Sequence, residues 1–211
     1  MFTRIKTAIR MLLSALFKSK KKQIALGFYG SPNAGKTTLA NRICMDFVGE
    51  PIGEVSVIPH ETRVVQKKEK IKMRINGHQL VMDILDMPGV AVKVDYRDFM
   101  AYGLSAREAQ ARAKEATRGI IEAIKYLEEV DAALVIMDAC EEPYNQINAT
   151  ILGNLEARNI PLLIVANKMD KVEANSQRIR EVFPQYPVVE ISALTGKNID
   201  VLYSEILKRL A

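Results

Sequence analysis

Eight consecutive residues, Gly30-Ser31-Pro32-Asn33-Ala34-Gly35-Lys36-Thr37, carry the first chemistry legible in this chain. Two glycines separated by four residues, then lysine and a hydroxyl, match a phosphate-binding loop. Gly30 and Gly35 admit backbone angles that turn successive N–H groups inward around phosphate oxygens. The apolar run Ile24–Tyr29 before the loop reads as a strand, and Thr38–Ile43 after it opens a helix. A helix N-terminus favours anionic charge through its free N–H groups and dipole. Lys36 is placed to reach the β- and γ-phosphates, and the Thr37 hydroxyl to ligate Mg²⁺. A chance glycine turn would not need a strand before it and a helix after it.

Asn167-Lys168-Met169-Asp170 follows a second apolar run and names the base. A carboxylate at Asp170 can accept from guanine N1–H and the exocyclic amine together. Adenine lacks that donor pair and would leave a desolvated carboxylate unpaired. Asn167 can bridge the phosphate loop and guanine, while the Lys168 stem covers the base face. Ser192-Ala193-Leu194, after the last strand-like run, can offer backbone N–H groups to guanine O6.

Asp86-Met87-Pro88-Gly89 ends another strand-like run. Asp86 is expected to hold Mg²⁺ through a water, and the Gly89 N–H to meet the γ-phosphate. Thr62 is the only threonine between Thr38 and Thr117, in an irregular loop. Its hydroxyl can ligate Mg²⁺ only while the γ-phosphate holds that loop closed, which would make it a switch.

The elements that must position these groups alternate along the chain. Runs at about 63–76 and 79–85 meet at Asn76-Gly77, a preferred pair for a tight hairpin, so they are expected to be antiparallel neighbours. Strands at 132–137, 161–166 and 187–191 then alternate with helices at 147–157, 176–181 and 199–210. Such alternation predicts a largely parallel sheet covered on both faces. Ser105 and Glu108 have the form of a capping box, from which a long helix should run to about Glu129. Ile120, Ile121, Ile124 and Leu127 are its expected inward face. Before it, residues 90–104 offer aromatic, apolar and charged groups without periodicity, either an ordinary loop or a lid or partner surface.

The net charge of +5 is not spread evenly. Residues 1–22 hold seven basic groups and no acid, leaving 23 basic against 25 acidic over 23–211, a net of −2. Phe2, Ile5, Ile9, Leu12, Leu13 and Leu16 fall at helical spacing in that basic segment, with Lys18-Ser19-Lys20-Lys21-Lys22 as a connector. Such a helix can lie on an anionic membrane surface, bind RNA, or pack on its own domain. Arg10 interrupts the apolar region and no small-residue cleavage site follows, which argues against a signal peptide. No apolar run approaches the roughly 20 residues that span a bilayer. Two cysteines, Cys44 and Cys140, form no disulfide framework or metal-ligand spacing. A reducing compartment follows, so the expected location is cytoplasmic or peripheral on the inner face of the membrane.

With these motifs in this order, the chain resembles the Era/TrmE-type branch of the translation-factor-like P-loop GTPases over residues 23–211. Gly-x-Pro-Asn-x-Gly-Lys-Thr, Thr62 before Arg63, Asp-x-Pro-Gly, Asn-Lys-x-Asp and Glu190-Ile-Ser-Ala-Leu-Thr-Gly-Lys-Asn carry the likeness. It implies an α/β P-loop NTPase fold: a mostly parallel six-stranded sheet, one antiparallel hairpin strand and helices on both faces. Residues 1–22 would be a basic helix and connector, and 23–211 a GTP-binding domain with an extended switch II region, 90–131. The implied function is a molecular switch hydrolysing GTP to GDP with Mg²⁺. The alternative is a GTP-dependent membrane- or partner-docking module with negligible hydrolysis. An ATPase of the same fold is hard to reconcile with Asp170.

Nucleotide contacts are implied at Gly30, Ser31, Asn33, Ala34, Gly35, Lys36, Thr37, Thr38, Asn167, Lys168, Asp170, Ser192, Ala193 and Leu194. Lys36, Asn33, Thr62 and Gly89 are the implied catalytic group. Val90 stands where Ras-like GTPases carry a water-orienting glutamine. The family's alternative places K⁺ beside the phosphates on a loop asparagine, here Asn33, which otherwise only shapes the loop. After the last helix, neither an RNA-binding domain as in Era nor a second GTPase domain as in Der is expected. RNA or ribosome binding is therefore not implied, and an effector is expected near residues 90–104.

Overall fold

The computed structural model describes residues 23–53, 65–75, 77–89, 97, 100 and 103–210, without the side chains of 115–120, 122 and 210. Residues 1–22, Thr62, Val90 and most of 90–102 lie outside the described residues, and with them the expectations placed there.

Six strands form one sheet: β1 (Ile24–Tyr29), β2 (Gln66–Ile75), β3 (His78–Asp86), β4 (Ala132–Asp138), β5 (Leu162–Asn167) and β6 (Val188–Glu190). Five α-helices surround it among the described residues: α1 (Lys36–Phe47), α2 (Ala106–Lys125), α3 (Gln146–Ala157), α4 (Ser176–Val182) and α5 (Ile199–Leu210). The strand order is β2-β3-β1-β4-β5-β6. Only β2 runs antiparallel, paired to β3 through the hairpin that Asn76-Gly77 predicts. β1 pairs in parallel with β3 on one side and β4 on the other. The chain therefore diverges to both sides of β1, and in such sheets ligands bind at the strands' carboxyl ends at this switch point.

Apolar residues alternate between the two faces, as pleating requires. Leu26, Phe28, Leu134, Ile136, Leu163 and Val165 pack with Leu39 and Ile43 of α1 and with Leu202 and Ile206 of α5. Tyr29, Ala133, Val135, Ile164 and Ala166 face the opposite way, against α2, α3 and α4. Each central strand is thus apolar on both sides because helices cover both.

Three devices set the frame. Asp83 accepts from the Lys70 N–H at 2.8 Å and from Gln23 at 2.6 Å, holding the β2 bulge between Lys68 and Ile71 where Lys70 has φ 56°. Asn145 caps α3 by accepting from the Asn148 N–H at 2.9 Å. The Ser105–Glu108 capping box is present, Ser105 N–H and Oγ donating to Glu108 at 2.9 and 2.6 Å.

The inward face of α2 differs from expectation. Leu127 is buried as expected and the Ile120 side chain lies outside the described residues, but Ile121 is 52 % exposed and Ile124 36 %, whereas Ala109 and Ala123 are fully buried. The spacings 109, 112, 123 and 127 form one helical stripe, so the sequence supported a second solution. Small alanines allow the helix backbone to approach Tyr29 and the sheet more closely than isoleucines would. Among the described residues, no helix is long and apolar enough to cross a membrane.

Candidate functional site

Every motif residue that the structure describes lies at the carboxyl edge of the sheet, on the loops leaving β1, β3, β5 and β6. The loop after β1 requires its glycines. Gly30 has φ 151°, and a Cβ there would run into the Ile136 carbonyl. Gly35 has φ 95°, and a Cβ there would strike the Asn167 amide. Asn33, also at positive φ (59°), is exposed at the loop's tip, a conformation asparagine tolerates. Ala34 is buried, and Ser31, Thr37 and Thr38 are half-buried around it.

Lys36 is 5 % exposed and folds back over the loop, its Nζ donating to the carbonyls of Ser31 at 2.8 Å and Gly30 at 3.2 Å. Burial pulls its ammonium down to about 8, against the raising influence of Asp86. A neighbouring anion reverses that penalty.

Asp86 is fully buried at the end of β3. The Thr37 hydroxyl donates to its Oδ2 at 2.6 Å, while Oδ1 is buried with no partner among the described residues. Burial pushes this carboxyl up to about 6, opposed first by the Thr37 hydrogen bond and then by Lys36. An orphaned carboxylate oxygen beside a threonine hydroxyl suits a hydrated divalent cation. Among the described residues no three His, Cys, Asp or Glu side chains gather at one point. That fits Mg²⁺, which keeps its waters and takes one or two protein ligands together with substrate phosphates. Gly89, three residues on, is buried where a Cβ would lie 2.8 Å from Pro32 Cα, so the third motif is pressed against the loop.

Asn167 ends β5 and is 3 % exposed. Its Nδ2 donates to the Ala34 carbonyl and its Oδ1 accepts from the Ala193 N–H, both at 2.9 Å. The bridge to the phosphate loop is present. The other end of the amide reaches the final motif rather than standing free for a base. Asp170 is exposed and accepts from the Ser192 hydroxyl at 2.6 Å, which holds its carboxyl below the usual range. The Ser192 N–H donates to the Lys197 carbonyl at 3.1 Å, so two of the three amides assigned to guanine O6 already have protein acceptors. The Leu194 N–H has no protein acceptor among the described residues.

Two contributors were not singled out in the sequence. Asp138 ends β4, and its Oδ2 pairs with the Lys168 ammonium at 2.6 Å, with Lys168 at φ 66°. An acid closing an apolar strand, as at Asp86, was the available signal. Arg42 on α1 donates to the Leu194 carbonyl at 3.0 Å, tying that helix to the last motif; an arginine on a polar helix face gives no such signal.

A family described as 50S ribosome-binding GTPases matches residues 25–168, more than half the chain. The chain belongs to this family. It is therefore a P-loop GTPase domain, of a family that binds guanine nucleotides and hydrolyses GTP. GTPase Era of Geotalea uraniireducens is 32 % identical over 194 residues, covering 86 % of this chain and 54 % of the relative. GTPase Der of Campylobacter hominis is 26 % identical over 196 residues, covering 90 % of this chain and 37 % of the relative. The chain thus spans about half or less of these relatives' length.

Among solved structures, Aquifex aeolicus Era bound to GDP·AlF4⁻ superposes with a TM-score of 0.68 at 24 % identity, over 90 % of this chain and 57 % of that one. Era with MgGDPNP and nucleotides 1506–1542 of 16S ribosomal RNA gives 0.67 at 25 %, over 88 % and 56 %. The mostly parallel six-stranded sheet with one antiparallel pair agrees with the fold the motifs implied.

Proposed function

We propose that this domain binds GTP, hydrolyses it to GDP and phosphate, and alternates between two loop conformations as it does so. The observation that carries the reading is the Thr37–Asp86 pair with its orphaned oxygen, Thr37 directly following the buried Lys36. Magnesium, if bound, would neutralise the charge developing on the phosphates. Thr37 and Thr62 are the proposed direct ligands, and Asp86 acts through a water. Lys36 and the loop amides of residues 33–38 hold the phosphates, and the Gly89 N–H meets the γ-phosphate. Asp170 selects guanine, and Lys168, held by Asp138, lays its stem along the base. No side chain acts as a general base, which suits a loose phosphoryl-transfer transition state in which positioning and charge dominate. Asn33, at the tip of the loop, is the proposed K⁺ ligand.

Phosphate release from GTP tests this in Mg²⁺ with KCl or NaCl, for the parent, Lys36→Met and Asn33→Ala. Magnesium-dependent release lost in Lys36→Met supports the reading; equal release by that variant rejects it. Stimulation by K⁺ that disappears in Asn33→Ala assigns the ion, and equal rates in the two salts remove it.

The second reading is a GTP-dependent docking module with negligible hydrolysis, acting at the inner face of a membrane. It rests on residues 1–22, which concentrate seven basic groups beside helically spaced apolar residues. Co-sedimentation with anionic liposomes, with GDP or a non-hydrolysable GTP analogue, tests it; no pelleting in either state rejects it. RNA co-sedimentation run alongside covers the partner that the solved Era complex carries.

A further inference from the structure

Helices α2 and α3 leave an apolar furrow open on the face of the domain formed by the second core cluster. Ile124 of α2 lines it and is 36 % exposed, and Ile121, one helical turn earlier on the same side of α2, is 52 % exposed. Between the helices lies a cavity of about 10 Å³, lined by Tyr29, by Ala123, Ile124 and Leu127 on one side and by Thr150, Ile151 and Asn154 on the other. This volume is a seat for part of one side chain, far below the several hundred Å³ of a small-molecule site. The Tyr29 hydroxyl beneath is buried with no partner among the described residues. Ridges of a third helix fit such a groove between two others.

We infer that residues 1–22 of this same chain occupy the furrow, laying the stripe of Ile5, Ile9, Leu12, Leu13 and Leu16 along Ile121 and Ile124.

The position where that segment joins the fold supports this occupant. β1 begins one residue after Gln23, and the Ala25 N–H donates to Asp131 Oδ2 at 3.0 Å while the Asp131 N–H donates to the Ala25 carbonyl at 2.8 Å. Asp131 lies four residues beyond Leu127, so the segment joins the domain beside one end of the furrow. Residues 18–22 reach up to about 17 Å when extended. A helix over residues 2–17 is about 24 Å long, more than the roughly 9 Å between Leu127 and Ile121 along α2. Charge agrees as well: Lys18, Lys20, Lys21 and Lys22 directly precede β1 in sequence, and the exposed Glu128 and Glu129 directly precede Asp131, which pairs with Ala25 of β1. Lys125 is the exposed cation on that stretch, and the Arg158 guanidinium is held by Asn154 at 2.9 Å. The inference stands apart from hydrolysis, since neither helix of the furrow carries a motif residue. Its consequence is competition, because a stripe packed on the domain is withheld from any membrane.

Amide hydrogen exchange on the full chain tests the contact, at concentrations where light scattering shows a monomer. The variants are Leu12→Glu with Leu13→Glu in the segment, and Ile121→Glu in the furrow. Position 121 is already half exposed, so the glutamate leaves the fold intact, and unchanged exchange in β4 and β5 verifies that. The expected result is reciprocal. The segment variant speeds exchange of residues 121–127 and 151–154 about tenfold, and Ile121→Glu speeds residues 2–16 by a similar factor. Exchange that neither variant alters across the contact overturns the inference. So does protection that grows with protein concentration, which assigns the furrow to a second copy. Protection seen only with phosphatidylglycerol vesicles assigns the stripe to the membrane and overturns it equally.

Discussion

The Asn167 side chain donates to the carbonyl of Ala34 at 2.9 Å, across 133 positions of chain. Its other end accepts from Ala193, so one buried amide joins the phosphate loop, the base motif and the last loop. Replacing it by alanine leaves a buried carbonyl and a buried N–H unpaired, at about 1–3 kcal/mol each. Asn167→Ala is expected to weaken GDP binding about 10- to 100-fold, as read by titration with a fluorescent GDP analogue. An unchanged affinity would mean that the clasp does not shape the site.

Asp170 should decide between bases. Asp170→Asn presents one donor and one acceptor, which suits the 2-oxo group of xanthine and not the amine of guanine. GDP affinity is expected to fall by about 100-fold or more while XDP affinity rises. Parallel titrations with the two diphosphates measure the reversal, and equal losses for both would refute the assignment.

Lys36 separates stability from function. Burial already pulls its pKa down to about 8, so its charge is unfavourable to the fold without an anion. Lys36→Met keeps the volume and removes the charge. Its nucleotide-free melting temperature is expected to match or exceed the parent's, while GTP affinity drops about 100-fold or more. A melting temperature well below the parent's would show that the ammonium is stabilising in the free domain.

Glu190 contributes to acid stability. The Arg180 guanidinium at 2.8 Å and the Ser176 hydroxyl at 2.8 Å hold its carboxyl below the ordinary 4.5. A depressed folded value gives stability that is present above the unfolded value and lost as pH falls through the folded one. Urea unfolding of Glu190→Gln should therefore fall short of the parent at pH 7 by under about 1 kcal/mol, since the pair is partly exposed, and converge with it as pH falls through the depressed folded value. An identical deficit at both pH values would locate the effect elsewhere.

Gly30 admits no side chain. Its φ of 151° and the adjoining Ile136 carbonyl make Gly30→Ala both strained and crowded. A loss of about 2 kcal/mol or more is expected in denaturant unfolding, together with weaker GDP binding. Full stability would mean that the loop relaxes freely.

The fold and much of the site were legible because their signals are local. A strand–loop–helix with Gly30, Gly35, Lys36 and Thr37 has little else to form, and apolar runs at β4 and β5 require helices on both sides. Asp86 and Asn167 could be placed because each ends a strand. Periodicity failed on α2, where the isoleucines outweigh the alanines in any hydrophobic count although Ala123 is the residue that is buried. Helix rotation depends on how closely two surfaces approach, and sequence spacing alone leaves two stripes open.

The sequence by itself determined the motifs: a glycine loop between strand and helix, carboxylates at Asp86 and Asp170 near strand ends, and the order in which the strands bring them. Those follow from residue type and spacing, which act within a few positions. Tertiary structure alone decided that Asn167 ties Ala34 to Ala193, that Asp138 holds Lys168, and that Ile121 and Ile124 stay outside. Each of these is a contact between distant segments, whose geometry exists only once the sheet has set the distances and the core has chosen which face of each helix to bury.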